Sequence, residues 1–385
     1  MIDRRNFLAC GAVAAALTLA PRMAFAKADT DRRFVFIIQR GAADGLGTIG
    51  AVGDPAFAGA RGQLAADFAT AKKLDSMFAL HPAMTSLAGM YDAKEALFAH
   101  AIASPYRDRS HFDGQNVLES GGTGAYQVKD GWLNRMLGLI PSGQAKAIAV
   151  SATVPLALRG PHDVSSYAPS ALPQASDDLL QRVAALYQGD GQLHGLWTDA
   201  MNTRTLTSDM TDASANARNA AATGTLAAKL LSPANGARIA MIETGGWDTH
   251  AGQRGRLALQ LKGLDAMIAA LKTGMGSAWS DTMVLVATEF GRTVAVNGTG
   301  GSDHGTGSAA MLIGGGVKGG RVMADWPGLG QAALYEGRDL KPTLGLDQFV
   351  AGAVAGHYGV EPGRVMATLF PDTKGSAPVM GLSRA

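Results

Sequence analysis

What most limits the fold of this 385-residue chain is a set of short, unbroken apolar runs spaced along its length, with FVFII at 34–38 the clearest. The others lie at 97–102, 147–150, 239–242, 283–287 and 310–313. Unbroken rather than alternating apolarity marks strands covered on both faces. Helical periodicity occupies 82–92, 131–139, 177–187, 213–231, 254–271 and 344–357, between or beside these runs. Strands alternating with helices predict an α/β fold with a mostly parallel central sheet between helices. The stretch at about 160–235 has no strand-like run and is rich in Ala, Ser, Thr and Asp, so it reads as a helical insertion. No fixed repeat or strongly polar linker divides the chain, and 27–385 reads as one domain.

The first 26 residues have a different character. MIDRRNFLACGAVAAALTLAPRMAFA combines a charged start, an apolar run and a small-x-small end at Ala24-Phe25-Ala26. That is the pattern of a cleaved export signal, and Arg4-Arg5-Asn6-Phe7-Leu8 fits its twin-arginine form. The expectation is a periplasmic protein that meets the twin-arginine export machinery and has no membrane span once the signal is removed. The only cysteine, Cys10, lies inside this segment, so the mature chain has neither a disulfide nor a thiolate metal site. A net charge of +2 lacks the basic surplus that nucleic-acid binding requires.

Polar residues gather where the runs end or begin. Asp44 follows the first run within QRGAADG, Asp248 and His250 follow IAMI within ETGGWDTH, and Glu289 and Arg292 follow MVLVA within EFGRT. Asp303 and His304 stand just before AAMLI. In an open parallel sheet ligands bind at the carboxyl ends of the strands, where these residues would collect. Carboxylates and imidazoles without thiolates suit one or two divalent ions, Zn, Mn, Mg or Ca, and such ions can clamp a phosphate or sulfate. A further segment, YRDRSHFD at 106–113, offers Ser110 as a nucleophile with Arg109 beside it. Adjacent side chains point apart, which leaves His111 poorly placed as a base for Ser110 and favours a metal as its activator.

Each of these residues also has an ordinary structural use, as a helix cap or turn former. His81, before Pro82, fits a helix start, and His100, inside a strand run, fits a core position. His162 and His194 fit solvated positions, while Arg292 either pairs with Glu289 or holds substrate. Two glycine patterns, Gly45-x-Gly47-x-x-Gly50 and Gly314-x-Gly316-x-x-Gly319, match the dinucleotide fingerprint. Neither is followed by a helix-like stretch that could hold a pyrophosphate, which disfavours a nicotinamide or flavin enzyme.

The motifs RGAADGL, LHPAM, YRDRSHFDGQNVLESG, TGGWDTH, ATEFGRT and GGSDHGTGSAAMLIGGGVKGG resemble, in order and across about 34–370, the bacterial domain-of-unknown-function family 1501. That family is placed in the alkaline phosphatase-like superfamily with phosphatases and sulfatases. The resemblance implies a metal-dependent hydrolase or transferase acting on a small-molecule or glycan ester of phosphate or sulfate. It implies Ser110 as nucleophile, Arg109 or Arg292 as charge stabilisers, and Asp44, Asp248, His250, Glu289, His304 and, less directly, Asp303 as metal ligands. Two departures stand out. Phe290 occupies a position where the superfamily typically has histidine, and His250 follows Asp248 by two residues rather than about four. Those departures support an alternative, a binding or assembly protein that keeps the fold around a degenerate metal site.

Overall fold

The computed structural model describes residues 30–140, 146–168, 180, 183–184, 186–206, 220–234, 236–373 and 375–384. The export signal, with Cys10, lies outside them. All six apolar runs become strands of one nine-stranded sheet. Its strands are β1 (Arg33–Gln39), β2 (Ala96–Ala103), β3 (Ala147–Val150), β4 (Val164–Ser166), β5 (Ile239–Thr244), β6 (Thr282–Ala287), β7 (Ser308–Ile313), β8 (Arg321–Met323) and β9 (Leu344–Gly345). The order across the sheet is β8-β2-β7-β6-β1-β5-β3-β4, with β9 also paired to β2.

Within this sheet β7 alone runs against its neighbours β6 and β2, and the other pairings are parallel. The reversal has a direct consequence. The start of β7 lies at the same edge as the ends of β1, β2, β5 and β6, so residues preceding β7 join residues following the others.

The helices used below are α1 (Thr85–Asp92), α2 (His111–Ser120), α3 (Trp132–Leu137), α4 (Gly191–Leu206), α5 (Ala220–Leu231), α6 (Gln253–Met275), α7 (Leu346–Tyr358) and α8 (Pro362–Leu369). Side chains alternate across a strand, so β1 divides its apolar residues between two cores. Phe34, Phe36 and Ile38 pack with Trp132 of α3, Phe349 of α7 and Leu369 of α8. Val35 and Ile37 pack with Leu87 of α1, Leu226 of α5 and Leu261 of α6. Each fully buried side chain of this size contributes about 1.5–3 kcal/mol relative to exposure. Helices on both faces therefore explain why the strand sequences are continuously apolar. The α1 start has no capping side chain of its own. Instead the Asp265 carboxylate of α6 accepts the backbone N–H groups of Ser86 (3.0 Å) and Leu87 (2.8 Å), which ties the two helices together.

The described part of 160–235 holds helices α4 and α5, as expected, but also the unanticipated edge strand β4. Only three residues long and partly exposed, β4 gives too weak an apolar signal to be read from sequence. Most of the helix expected at 177–187, and the first part of the one at 213–231, lie outside the described residues. The first glycine pattern contains a single helical turn, Gly45–Thr48, that passes straight into a strand at Ile49–Gly50. The second leads into β8. Among the described residues no helix is long and apolar enough to cross a membrane.

His100 occupies the core position expected of it. Its Nε2–H donates to the Ile49 carbonyl at 2.9 Å, and its Nδ1 accepts the Ala101 N–H at 2.8 Å. The ring stacks on Phe78 and meets Trp326 edge-on. Both nitrogens of the neutral ring are thus used, and a second proton would have to displace the Ala101 N–H. Burial pushes its pKa from 6.5 down to about 4. Between those two values the unfolded chain binds a proton that the folded chain refuses, so stability falls as pH falls through this window. The slope is about 1.4 kcal/mol per pH unit for this one ring, and above pH 6.5 it contributes none. Denaturant melts of wild type and His100→Gln between pH 4 and 7 should differ by this slope. Parallel curves would mean that His100 does not enter the fold as a neutral ring.

Candidate metal centre

Five segments meet at the sheet edge described above, following β1, β2, β5 and β6 and preceding β7. The last two are zipped together, with Gly291 N–H donating to Thr306 O (2.9 Å) and Gly305 N–H to Gly291 O (2.8 Å). The approach is close enough that a Cβ on Gly305 would lie 2.4 Å from the Arg292 carbonyl carbon. The segment after β1 presses as tightly on the one after β5. Gly41 has φ +118°, and a Cβ there would sit 2.6 Å from the Asp248 nitrogen.

This packing brings three imidazoles around Asp248. His250 Nε2 lies 3.0 Å from Asp248 Oδ1 and 3.0 Å from His304 Nε2, and His304 Nε2 lies 3.4 Å from the same oxygen. His111, the first residue of α2, places Nε2 3.5 Å from Asp248 Oδ2. His111, Asp248 and His304 offer ligand atoms that all lie within 4.8 Å of one another. The Asp248 and His250 side chains are 41% and 45% exposed, so the cluster opens to solvent.

Each imidazole is fixed from behind through its other nitrogen. His111 Nδ1 bonds to Glu289 Oε1 at 2.8 Å, His250 Nδ1 to Asp303 Oδ1 at 3.0 Å, and His304 Nδ1 to the Arg109 carbonyl at 3.1 Å. These partners accept, so each Nδ1 carries the hydrogen and each Nε2 of a neutral ring is a bare acceptor. Such outer-partner bonds orient metal-binding histidines and set their tautomer. Two Nε2 atoms 3.0 Å apart beside a carboxylate need a proton or a metal ion between them. His111 Nε2 is buried and has no hydrogen-bond partner. Bonds of about 2.0–2.1 Å to a tetrahedral ion place its ligands about 3.3 Å apart, close to the 3.0, 3.0 and 3.4 Å found among His250, His304 and Asp248. The donor set and its spacing therefore fit a divalent ion.

The electrostatics agree. Burial alone would raise the pKa of Asp248, but the Arg292 hydrogen bond and charge, with His250 and His111, hold it below the usual carboxylate range. The Glu289 hydrogen bond raises His111 against the effect of burial, while burial and the neighbouring His111 charge lower His304. Phe290 stacks on His111 at 5.1 Å between ring centres and lies 5.4 Å from His304. It sets an apolar ring against both imidazoles.

Of the residues singled out from sequence as metal ligands, the structure brings Asp248, His250 and His304 together. Asp303 is the outer partner of His250. Glu289 is buried, its Oε1 accepting from Gly41 N–H (2.8 Å), His111 Nδ1 and Gln115 Nε2 (3.1 Å), and these bonds outweigh burial to lower its pKa. Asp44 is turned to another use. Its Oδ1 caps the Gly45–Thr48 turn through Gly47 N–H at 3.0 Å, and its Oδ2 pairs with buried Arg61 and with Gln253. The Arg109 guanidinium bonds Asp339 and Glu336, so the group that reaches the site is its carbonyl. Arg292 bonds neither Glu289 nor open solvent. It donates to Asp248 Oδ1 at 2.8 Å and to Ser302.

Ser110 caps the start of α2 in position, is half-buried and makes no capping bond with its hydroxyl. His81 starts the turn before α1, its Nδ1 accepting Ala83 N–H at 3.1 Å, and His162 and His194 are exposed. His111, not singled out from sequence as a ligand, joins the cluster by its Nε2. The signal was present, since a histidine after a strand and at a helix start is placed like the others.

A family model described as "Protein of unknown function (DUF1501)" matches residues 32–370. The chain belongs to the DUF1501 family. No curated protein matches it by sequence. Among solved structures it is similar to Ps i-CgsB in complex with k-i-k-neocarrahexaose, at 10% identity over 86% of this chain and 73% of that one, TM-score 0.40. It is also similar to the phosphonate monoester hydrolase of Agrobacterium radiobacter (11% identity, 76% and 70% covered, TM-score 0.31). A mutant of TAB5 alkaline phosphatase with Mg bound gives 10% identity, 89% and 97% covered, and a TM-score of 0.34.

The role of Glu289 can be measured. Replacing Glu289 with Gln keeps its size but weakens its hold on His111, and loss of such a partner lowers metal affinity by about 10–100-fold. Calorimetric titration with Zn or Mn should show that drop. Affinity within twofold of wild type would reduce Glu289 to a structural plug.

Proposed function

We propose that this DUF1501 protein is an exported, metal-dependent hydrolase or transferase that acts on a small-molecule or glycan ester of phosphate or sulfate. The observation that carries the reading is the convergence of the His111, His250 and His304 Nε2 atoms on Asp248, with His111 directly following Ser110 in the chain. The ion would be held by those four side chains. When bound it supplies Lewis-acid charge, which stabilises an anionic ester and favours deprotonated oxygen nucleophiles.

The protein's own groups supply the rest. The N-terminus of α2 presents backbone N–H groups beside Ser110, a local field that favours an anion there. Ser110 Oγ forms the new bond to phosphorus or sulfur as the bond to the alcohol oxygen breaks. Its proton leaves to solvent, the departing oxygen takes up a proton from solvent to leave as the alcohol, and water then releases the anion and restores the hydroxyl. Arg292 keeps Asp248 ionised and aimed, and Phe290 excludes water behind His111 and His304. Residues 1–26 would direct the folded chain to the periplasm through the twin-arginine machinery.

The test is a panel of phosphate and sulfate mono- and diesters with metal-replete protein. Turnover should disappear on chelation, and Ser110→Ala should lower kcat by about three orders of magnitude with unchanged metal content. Metal-replete wild type that turns over no ester in the panel would instead favour a binding or assembly protein. The Phe290 ring packed against two of the histidines is the feature that favours this second reading.

A further inference from the structure

The cluster around Asp248 is not the only place where acidic groups reach the sheet edge. Asp44 and Glu289, the further buried carboxylates that follow β1 and β6, are the oxygens there that a second ion could draw on. Neither carboxylate is open. The Asp44 side chain is 2% exposed and that of its partner Arg61 is 1% exposed. The Arg61 guanidinium also donates to the carbonyls of Thr293 (3.2 Å) and Val294 (3.0 Å), so it is fixed by three separate acceptors. Gln253 fills the remaining approach to Asp44 Oδ2 and bridges to Ser302. Glu289 Oε1 already takes three donors, and its Oε2 lies 3.0 Å from the Thr288 hydroxyl.

We propose that the centre takes one divalent cation, held by His111, Asp248, His250 and His304, and that the Arg61 guanidinium permanently fills the place on Asp44 that a second ion would need. The inference rests on the metal-dependent reading of this site and fixes its stoichiometry and its chemical preference. Three imidazoles and one carboxylate make a nitrogen-rich set, which selects Zn or another transition ion over the oxygen-seeking Mg and Ca. His250 is a full ligand on this view. Its Nε2 closes the triangle with Asp248 and His304, and Asp303 holds it there from behind. A guanidinium differs from a metal in that it is never lost to a chelator, so the positive charge at Asp44 is constant whatever the ion supply.

The experiment is metal titration of the chelator-stripped full chain, read by calorimetry and by elemental analysis after dialysis. One equivalent of Zn or Mn per chain is expected, with Mg and Ca at least tenfold weaker. His250→Ala should lower Zn affinity at least tenfold. Asp44→Asn, which keeps the side chain's shape, should leave stoichiometry and affinity within threefold of wild type. Two equivalents in the wild type, a loss of an equivalent in Asp44→Asn, or Mg bound as tightly as Zn would each overturn the proposal. Two equivalents would still allow a metal-dependent hydrolase, whereas one equivalent with no ester turnover would remove the hydrolase and leave the one-ion centre standing. No uptake of any ion removes both.

Discussion

The Arg292 guanidinium is the tie on which the geometry of the centre depends. Its side chain is fully buried, and it donates to the Ser302 carbonyl and hydroxyl and to Asp248 Oδ1. It therefore links the segments after β5, after β6 and before β7 in one charge-assisted set of bonds. A planar fork suits this role because its donors leave in fixed directions. Removing it would take the charge-assisted bond from Asp248 and leave the Ser302 acceptors without their donor. Around that tie each loop has a second fastening. Arg109, with φ +61°, is held by Asp339 and Glu336, and its carbonyl is thereby brought to His304. A positive φ at a non-glycine residue is unfavourable, and the two carboxylates offset it.

How much of this could be read from the chain follows from the range of the interactions. FVFII and its companions gave the sheet because a strand covered on both faces writes its burial into consecutive residues. Asp248 and His250 follow one strand two residues apart, so their meeting at the sheet edge is equally local. The reversal of β7 was not legible, since direction is decided by pairing with β2 and β6, far away in sequence. Yet that reversal is what lets His304, placed before a strand, join residues placed after strands. Asp44 and Glu289 were indistinguishable from Asp248 by position alone. What separates them is their partners, Arg61 for one and His111 for the other, and the latter lies 178 residues away. No spacing rule carries that distance. The place of His111 is likewise set by partners far away in sequence. His111 cannot serve Ser110 as a base by adjacency, but it can turn its ring to a cluster assembled from two other loops.

The same dispersal of parts governs when the centre can exist. The three imidazoles and the carboxylate come from three segments, and their outer partners come from the segments around 109, 289 and 303. None of these contacts is local enough to form before the strands are paired. The unfolded chain therefore offers an ion only scattered histidines, while the native chain offers four atoms already turned inward and locked. An ion that binds the native form so much better stabilises it in proportion to that preference. The locking also sets two nitrogens 3.0 Å apart beside a carboxylate, a spacing that a proton or a metal ion must bridge. The sheet and its two cores hold these groups together in advance. An ion would then meet a site that needs little rearrangement, with one side open to solvent.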